Sequence, residues 1–249
     1  MTSRFSSDPW LAESLARPTF RLVPHAPWQG ASALQSEMTM LSKAGDAFFY
    51  AKLPTSEVRA CAQLAAAGFA IVDTGITLSR MRSAERAPTD PRVGVAKGYQ
   101  REAIPRIGER CFRWSRFHLD PKIPPLLANG IKRRWLESYV NGTRGAALYA
   151  AEVDGQVAGF LAALETTMSD RRVAVIDLLG VADEYQCKGI GGALVHYFIG
   201  EWQTRVSELR VGTQVANVQS LRLYEGCGFR IVESNYALHA HYHLGRALP

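Results

Sequence analysis

The chain reads as a mixed α/β protein, in which a mostly antiparallel central sheet is flanked by helices and preceded by a smaller N-terminal α/β domain. Three observations predict this class. The apolar segments "AALYAAEV", "QVAGFLAALE" and "RVAVIDLLGV" follow one another with no helix between them, as in an antiparallel meander. They are followed by a helix, a strand, a short helix and a closing strand or pair of strands. The resulting order lacks the strict strand–helix alternation of a doubly wound nucleotide-binding sheet, which argues against a dehydrogenase.

The elements can be justified in order. "AFFYAKL" is a strand, "TSEVRACAQLAAAG" a helix with Thr55 or Ser56 as N-cap and Gly68 as its stop, and "FAIVDTGITLSRM" a second strand. Met81 to Gly98 is polar, contains two prolines and divides the apolar pattern, giving domains at 1–92 and 93–249. "REAIPRIGERCFRW" is helical with Pro105 expected near the first turn, and "IKRRWLESYVNG" is a helix ending at Asn141-Gly142. Asp154-Gly155 joins the first two strands of the meander as a tight turn. "GALVHYFIGEW" is a helix, "SELRVGTQV" a strand, "NVQSLRLYEGCG" a short helix with Asn217 as N-cap, and "FRIVESNYALHAHYHL" one or two strands. No internal repeat is visible.

Composition narrows the function. With 249 residues, 47% hydrophobic and 21% charged, the chain is long enough for one large domain or two modest ones, and its apolar runs fall well short of the roughly 20 residues of a membrane span. "MTSRFSSDPW" has no apolar core of a signal peptide, so a cytoplasmic protein without membrane contact is expected. Cys61, Cys111, Cys187 and Cys227 are widely spaced, as free thiols are. The net charge of +6 comes from dispersed arginines, not the basic stripe with interleaved aromatics that nucleic acid requires. His239, His241 and His243 alternate and share a strand face, but no neighbouring Cys, Asp or Glu completes a ligand set, and no metal is expected.

The most informative stretch is "QCKGIGGA", between an apolar strand ending at Val181 and a helix. A strand, a glycine turn and a helix start leave unpaired N–H groups at the positive end of the helix dipole, which attracts phosphate. Gly189, Gly191 and Gly192 remove side chains that would block a diphosphate, and Lys188 adds charge. A flexible corner is the alternative reading. The spacing fits neither GxxxxGK[ST] nor GxGxxG.

"LLGVADEYQCKGIGGALV" resembles the acetyl-CoA signature of the GCN5-related N-acetyltransferases (the GNAT fold), [Gln/Arg]-x-x-Gly-x-[Gly/Ala], whose positions fall on Gln186, Gly189 and Gly191. "ANVQSLRLYEGCGFRI" resembles the family's second motif through Asn217, Ser220, Leu223-Tyr224 and Gly228-Phe229. The resemblance covers roughly residues 93 to 245. It departs at Ala182-Asp183, where many members have a nearby proline, and at Cys187-Lys188. The wording from Leu209 to His239, with an α/β extension ahead of it, is similar to the TDP-fucosamine acetyltransferase branch, which acetylates the 4-amino group of a nucleotide-linked 4-amino-4,6-dideoxyhexose.

The resemblance implies acetyl-CoA as co-substrate, with Gln186, Cys187, Lys188, Gly189, Ile190, Gly191 and Gly192 at its pyrophosphate. It implies the Val181 N–H at the thioester carbonyl, Asn217 at the pantetheine arm and Tyr224 as the acid that protonates the departing sulfur. Against this, Tyr224 could be a buried helix tyrosine tied to a backbone carbonyl, and Asn217 a plain N-cap. Asp177 is the candidate base, acting through a water, or else it positions a neighbouring strand. The loop "FRWSRFHLDPKI" offers Arg116, His118 and Asp120 to bind the acceptor's hydroxyls and diphosphate, with Trp114 or Phe117 to stack on a ring; a solvated polar loop is the alternative. The expected reaction is direct transfer to a nucleotide-sugar amine in a ternary complex, in a monomer or homodimer. The rivals are the same fold acting on a protein amine or aminoglycoside, and an acyl-CoA-binding protein without activity.

Overall fold

A computed structural model of the chain describes residues 3–23, 30–83 and 87–248. In chain order its elements are β1 (Phe5–Ser7), α1 (Pro9–Leu15), β2 (Thr19–Leu22), α2 (Ala31–Leu41), β3 (Asp46–Pro54), α3 (Val58–Ala66), β4 (Ala70–Met81) and β5 (Val93–Val95). There follow α4 (Gly98–Cys111), α5 (Arg116–Leu119), α6 (Pro125–Val140), β6 (Ala147–Val153), β7 (Gln156–Met168) and β8 (Arg171–Val181). The last are α7 (Ile190–Trp202), β9 (Glu208–Gln214), α8 (Val218–Gly226), β10 (Arg230–His243) and β11 (Arg246–Ala247).

Two compact units form: unit 1 is Met1–Gly75, Ser115–Ala128 and Ser234–Pro249, and unit 2 is Ile76–Trp114 and Asn129–Glu233. This differs from the division at 92/93 expected from composition. The chain passes between units four times, in the loop between α4 and α5 at Trp114-Ser115 and inside β4, α6 and β10. The expected linker instead contains β5, which pairs with β6 (Val93↔Ala151); residues 84–86 of that linker lie outside the described residues.

In unit 2 the strand order is β4-β9-β8-β7-β6-β5. The meander β6–β7–β8 is antiparallel, and its first turn has Asp154 at φ 50° and Gly155 at φ 74°, the two positive values that match the twist of a two-residue hairpin. One sheet face packs on α7, which buries Ile190, Ala193, Leu194, Val195, Phe198, Ile199 and Trp202. Each such large side chain contributes about 1.5–3 kcal/mol by leaving water. The other face packs on α4 and α6 through Ile104, Leu136, Tyr139, Phe160 and Leu178. Pro105 lies in the middle of α4, not in its first turn. The helix starts earlier than the apolar pattern suggested, because the Gln100 side chain accepts from the Lys97 amide at 3.1 Å and caps it there.

In unit 1 the order is β1-β2-β3-β10, with β11 on β10. β2 and β3 are parallel, and β3 and β10 antiparallel from Asn235↔Pro54 to His243↔Asp46. One face is apolar, with Ala47, Phe49, Ala51, Leu238, Ala240 and Tyr242 packed with Leu34, Met38 and Leu64. The other face carries Phe48, Tyr50, His239 and His241. The N-cap of α3 is Glu57, not Thr55 or Ser56; the Thr55 hydroxyl is taken instead by Ser234 Oγ at 2.6 Å.

Candidate active site

The site in unit 2 begins with a break in sheet regularity. In β8 the register against β7 skips from Ile176↔Ala163 to Leu178↔Ala162, leaving Asp177 as a bulged residue. The parallel ladder between β8 and β9 runs from Val173↔Glu208 to Ile176↔Val211 and stops at that bulge, while both strands continue. The sheet therefore opens between the C-terminal ends of two parallel strands. The Ala182 N–H donates back toward β7, to the Ala158 carbonyl at 2.9 Å. Since successive amides of a strand alternate sides, the preceding Val181 N–H is directed to the β9 side of β8, where the ladder has ended.

After Val181 comes a 3-10 turn over Asp183–Tyr185, then the glycine loop. Gln186 Nε2 bonds Asp183 Oδ1 at 2.8 Å and the Val181 carbonyl at 3.3 Å, so this side chain braces the turn. Cys187 (φ 59°) and Gly189 (φ 78°) are left-handed, which carries the chain into α7 with Gly189 as N-cap and no side-chain cap. The first-turn N–H groups of this 13-residue helix thus have no side-chain acceptor. A Cβ built on Gly189 would meet nothing within 4 Å, whereas one on Gly191 would lie 3.3 Å from Leu223 Cδ2 and 3.9 Å from Val181 Cγ2. Val181, the start of α7 and α8 therefore converge.

On α8, Asn217 Oδ1 accepts from the Ser220 N–H at 3.2 Å, as an N-cap does. Tyr224 is 4% exposed, and its hydroxyl has no hydrogen-bond partner among the described residues. Burial, and secondarily the neighbouring Cys227, pushes its pKa well above the ordinary tyrosine value, so it stays protonated. The phenol is not tied to a backbone carbonyl.

Asp177, the candidate base, sits among hydrogen-bond donors. Its Oδ2 accepts from Trp135 Nε1 (2.8 Å), Tyr139 OH (2.7 Å) and Arg144 Nε (2.9 Å), and Oδ1 from Arg144 Nη2 (3.3 Å). Three donor groups make these four bonds, two of them from the Arg144 guanidinium. Asp177 anchors α6 and the turn after it to the bulge. Burial, then the Asp177 charge, raises the Tyr139 pKa.

Arg116, His118 and Asp120 belong to unit 1. Asp120, 2% exposed, accepts from His239 Nδ1 (2.7 Å) and His241 Nε2 (2.8 Å). Arg116 lies over the rings of Tyr50 (4.3 Å) and Phe117 (4.5 Å), with Nη1 3.4 Å from His239 Nε2. His118 Nδ1 bonds Ser115 Oγ at 2.6 Å. Sequence reasoning missed that Asp120, 119 residues from His239, completes its cluster; nothing local in the sequence signals that pairing. His243 turns instead to Asp46 at 2.7 Å. Asp120, His239 and His241 offer ligand atoms within 4.8 Å of one another. The Arg116 guanidinium beside His239 and the Arg17 charge felt by Asp120 disfavour a dication there, and the histidine–aspartate bonds are already of hydrogen-bond length. Burial, reinforced by Arg116, lowers the His239 pKa to about 4. Burial alone would raise that of Asp120, but the bonds from His239, His241 and the Lys122 N–H outweigh it and hold the carboxyl well below its usual range.

A splayed pair of parallel strands, an uncapped glycine-led helix and a buried phenol are thus brought together in unit 2. Residues 109–229, a little under half of the chain, match the Acetyltransferase (GNAT) family. It is 30% identical over 156 residues to the spore coat polysaccharide biosynthesis protein SpsD of Bacillus subtilis (strain 168). That match covers 62% of this chain and 52% of SpsD, so the chain spans about half the length of the curated relative it matches. Two solved structures share the fold. A GCN5-related N-acetyltransferase from Kribbella flavida has a TM-score of 0.60 at 14% identity, covering 89% of this chain and 80% of that one. A conserved protein of unknown function from Staphylococcus epidermidis ATCC 12228 has a TM-score of 0.60 at 16% identity, covering 96% and 91%. Among the described residues no helix is long and apolar enough to cross a membrane.

Proposed function

We propose that the chain is an acetyl-CoA-dependent N-acetyltransferase whose acceptor is the amine of a nucleotide-linked amino-dideoxy sugar. The observation that carries the transferase reading is Tyr224, a buried, protonated phenol with no protein partner, on a helix that meets the start of α7. A protein that only bound acyl-CoA would need no proton donor at that position.

Bound acetyl-CoA supplies the activated acetyl group. The first-turn amides of α7 and Lys188 hold its diphosphate, and the Val181 N–H stabilises the oxygen that gains charge as the carbonyl becomes tetrahedral. Asn217, with Oδ1 committed to Ser220, has Nδ2 for the pantetheine arm. Tyr224 gives its proton to the departing sulfur. With Asp177 engaged by Trp135, Tyr139 and Arg144, the acceptor amine loses its proton to water, which a sugar amine does more readily than lysine. The name of SpsD, a polysaccharide biosynthesis protein, supports a sugar acceptor.

The test is thiol release from acetyl-CoA across nucleotide-linked amino sugars, free amino sugars, an aminoglycoside and peptide amines, with Tyr224→Phe beside the wild type. The nucleotide sugar should give the highest kcat/KM, and Tyr224→Phe should lower kcat roughly 10²-fold or more with acetyl-CoA affinity unchanged. Full turnover in Tyr224→Phe would sink the role of Tyr224, and preference for a peptide amine would sink the acceptor class.

A further inference from the structure

No repeat is visible in the sequence, yet elements of the fold recur at a fixed offset. α3 spans Val58–Ala66 and α8 spans Val218–Gly226, 160 positions apart at both ends. At the same offset α2 (Ala31–Leu41) falls within α7 (Ile190–Trp202), β3 (Asp46–Pro54) ends where β9 (Glu208–Gln214) ends, and β4 starts at Ala70 as β10 starts at Arg230. The correspondence reaches single hydrogen bonds. Phe69 N bonds the Leu64 carbonyl at 3.0 Å and Phe229 N that of Tyr224 at 3.0 Å; Glu57 N bonds that of Pro54 and Asn217 N that of Gln214, both at 3.0 Å. Glu57 and Asn217 share an N-cap geometry (φ −82°, ψ 55° and φ −87°, ψ 66°), and Gly68 and Gly228 are both left-handed, at φ 99° and 85°.

The strand pattern repeats as well. In unit 1 the parallel pair β2–β3 is followed by β10, and in unit 2 the parallel pair β8–β9 is followed by β4. Each pair is therefore completed by the strand that follows the other copy's last helix. The buried positions agree too: Leu34 with Leu194, Met38 with Phe198, and Phe69 with Phe229, all at most 4% exposed.

We infer that the chain is an internal duplication of one β–α–β–α–β unit, and that its first copy is a silent acetyltransferase half with no acetyl-donor seat. The residues carrying the chemistry are those that differ. Gly191 and Gly192 correspond to Ala31 and Ser32, Asn217 to the acidic Glu57, and Tyr224 to Leu64, which has no proton to give. The scaffold positions Gly68-Phe69-x-Ile71-Val72 and Gly228-Phe229-x-Ile231-Val232 are the same in both copies. The first copy thus keeps the fold of a donor-binding half but, among the described residues, lacks the counterparts of Gly191, Gly192, Asn217 and Tyr224.

This inference rests on the proposed seat at the second copy's glycine loop, and titration of the full-length protein with acetyl-CoA separates the two ideas. One molecule should bind per chain. Gly192→Asp, where a Cβ meets only Leu223 at 3.9 Å, sets a carboxylate at the proposed diphosphate and should weaken binding at least 100-fold. Ser32→Asp, its counterpart in the first copy, should leave affinity and stoichiometry unchanged. Thermal unfolding of both variants controls for misfolding. Two molecules per chain, or a loss caused by Ser32→Asp, would overturn the silent first copy; no binding by the wild type, or full binding by folded Gly192→Asp, would instead overturn the proposed seat.

Discussion

Replacing Asp177 by Asn distinguishes an anchor from a base. Asn keeps an acceptor oxygen for Trp135 and Tyr139, but it loses the charge that pairs with Arg144 and turns an amide donor toward another donor. A neutral hydrogen bond is worth about 1 kcal/mol and one to a charged group about 1.5–3. The Asp177 carboxylate is 11% exposed and Arg144 39%, so solvent screens part of the ion pair. The loss should be about 2–3 kcal/mol for Asp177→Asn, and larger for Asp177→Ala, which strands three donors. In a chain of this size each kcal/mol lowers Tm by roughly 2–4 °C, so Asp177→Asn should melt about 4–12 °C below the wild type. Acetyl transfer by the folded variant should stay within about tenfold, and the acidic limb of its kcat/KM profile should not move, because no catalytic proton passes through this carboxyl. Unchanged Tm with a 10²-fold or greater fall in kcat and a displaced acidic limb would refute the anchor and restore the base.

Other measurements probe the rest of the structure. Asn217→Ala removes the α8 cap and should cost about 1 kcal/mol in chemical denaturation. Gly180→Ala would set a Cβ 2.5 Å from Cys111 Sγ and 2.6 Å from Phe160, so it should destabilise by at least 1–3 kcal/mol. His239, held neutral with a pKa near 4, gives stability that is complete above its unfolded value near 6.5 and is lost as pH falls from there toward 4. Denaturation between pH 7 and 4 should show a decline on the order of 3 kcal/mol that His239→Gln flattens; a variant with the wild-type slope would assign the decline to other groups. Phe198→Ala, at a position 0% exposed on α7, should cost about 3–5 kcal/mol.

The half that holds the proposed site was more legible in sequence than the other half. Its meander, its Asp154-Gly155 turn, its glycine loop and the Asn217 cap each depend on local chemistry that the residues state directly. What depends on distant partners was not readable. Asp120 meets His239 and His241 only because the segment after α4 returns to unit 1, and Asp177 is fixed by donors 33 to 42 residues away. Pro105 misled because helix start and helix interior differ by a few residues, and a glutamine cap three residues past Lys97 decided between them. The duplication was hidden because its copies agree at buried and turn positions while charges, caps and catalytic side chains diverged.

The extra residue in β8 has one more consequence. Ahead of it Ala174 and Ile176 face the core beneath α7; behind it Leu179 and Val181 do, while Leu178 packs with α4 and α6. The odd–even rule of the strand changes at a single position. Deleting Asp177 would restore an unbroken ladder and at the same time turn the last four residues of the strand inside out, exchanging the lining of both cores and pointing the Val181 amide at β7. The irregularity acts as a phase shifter, so a chain more regular by one residue would have lost its opening.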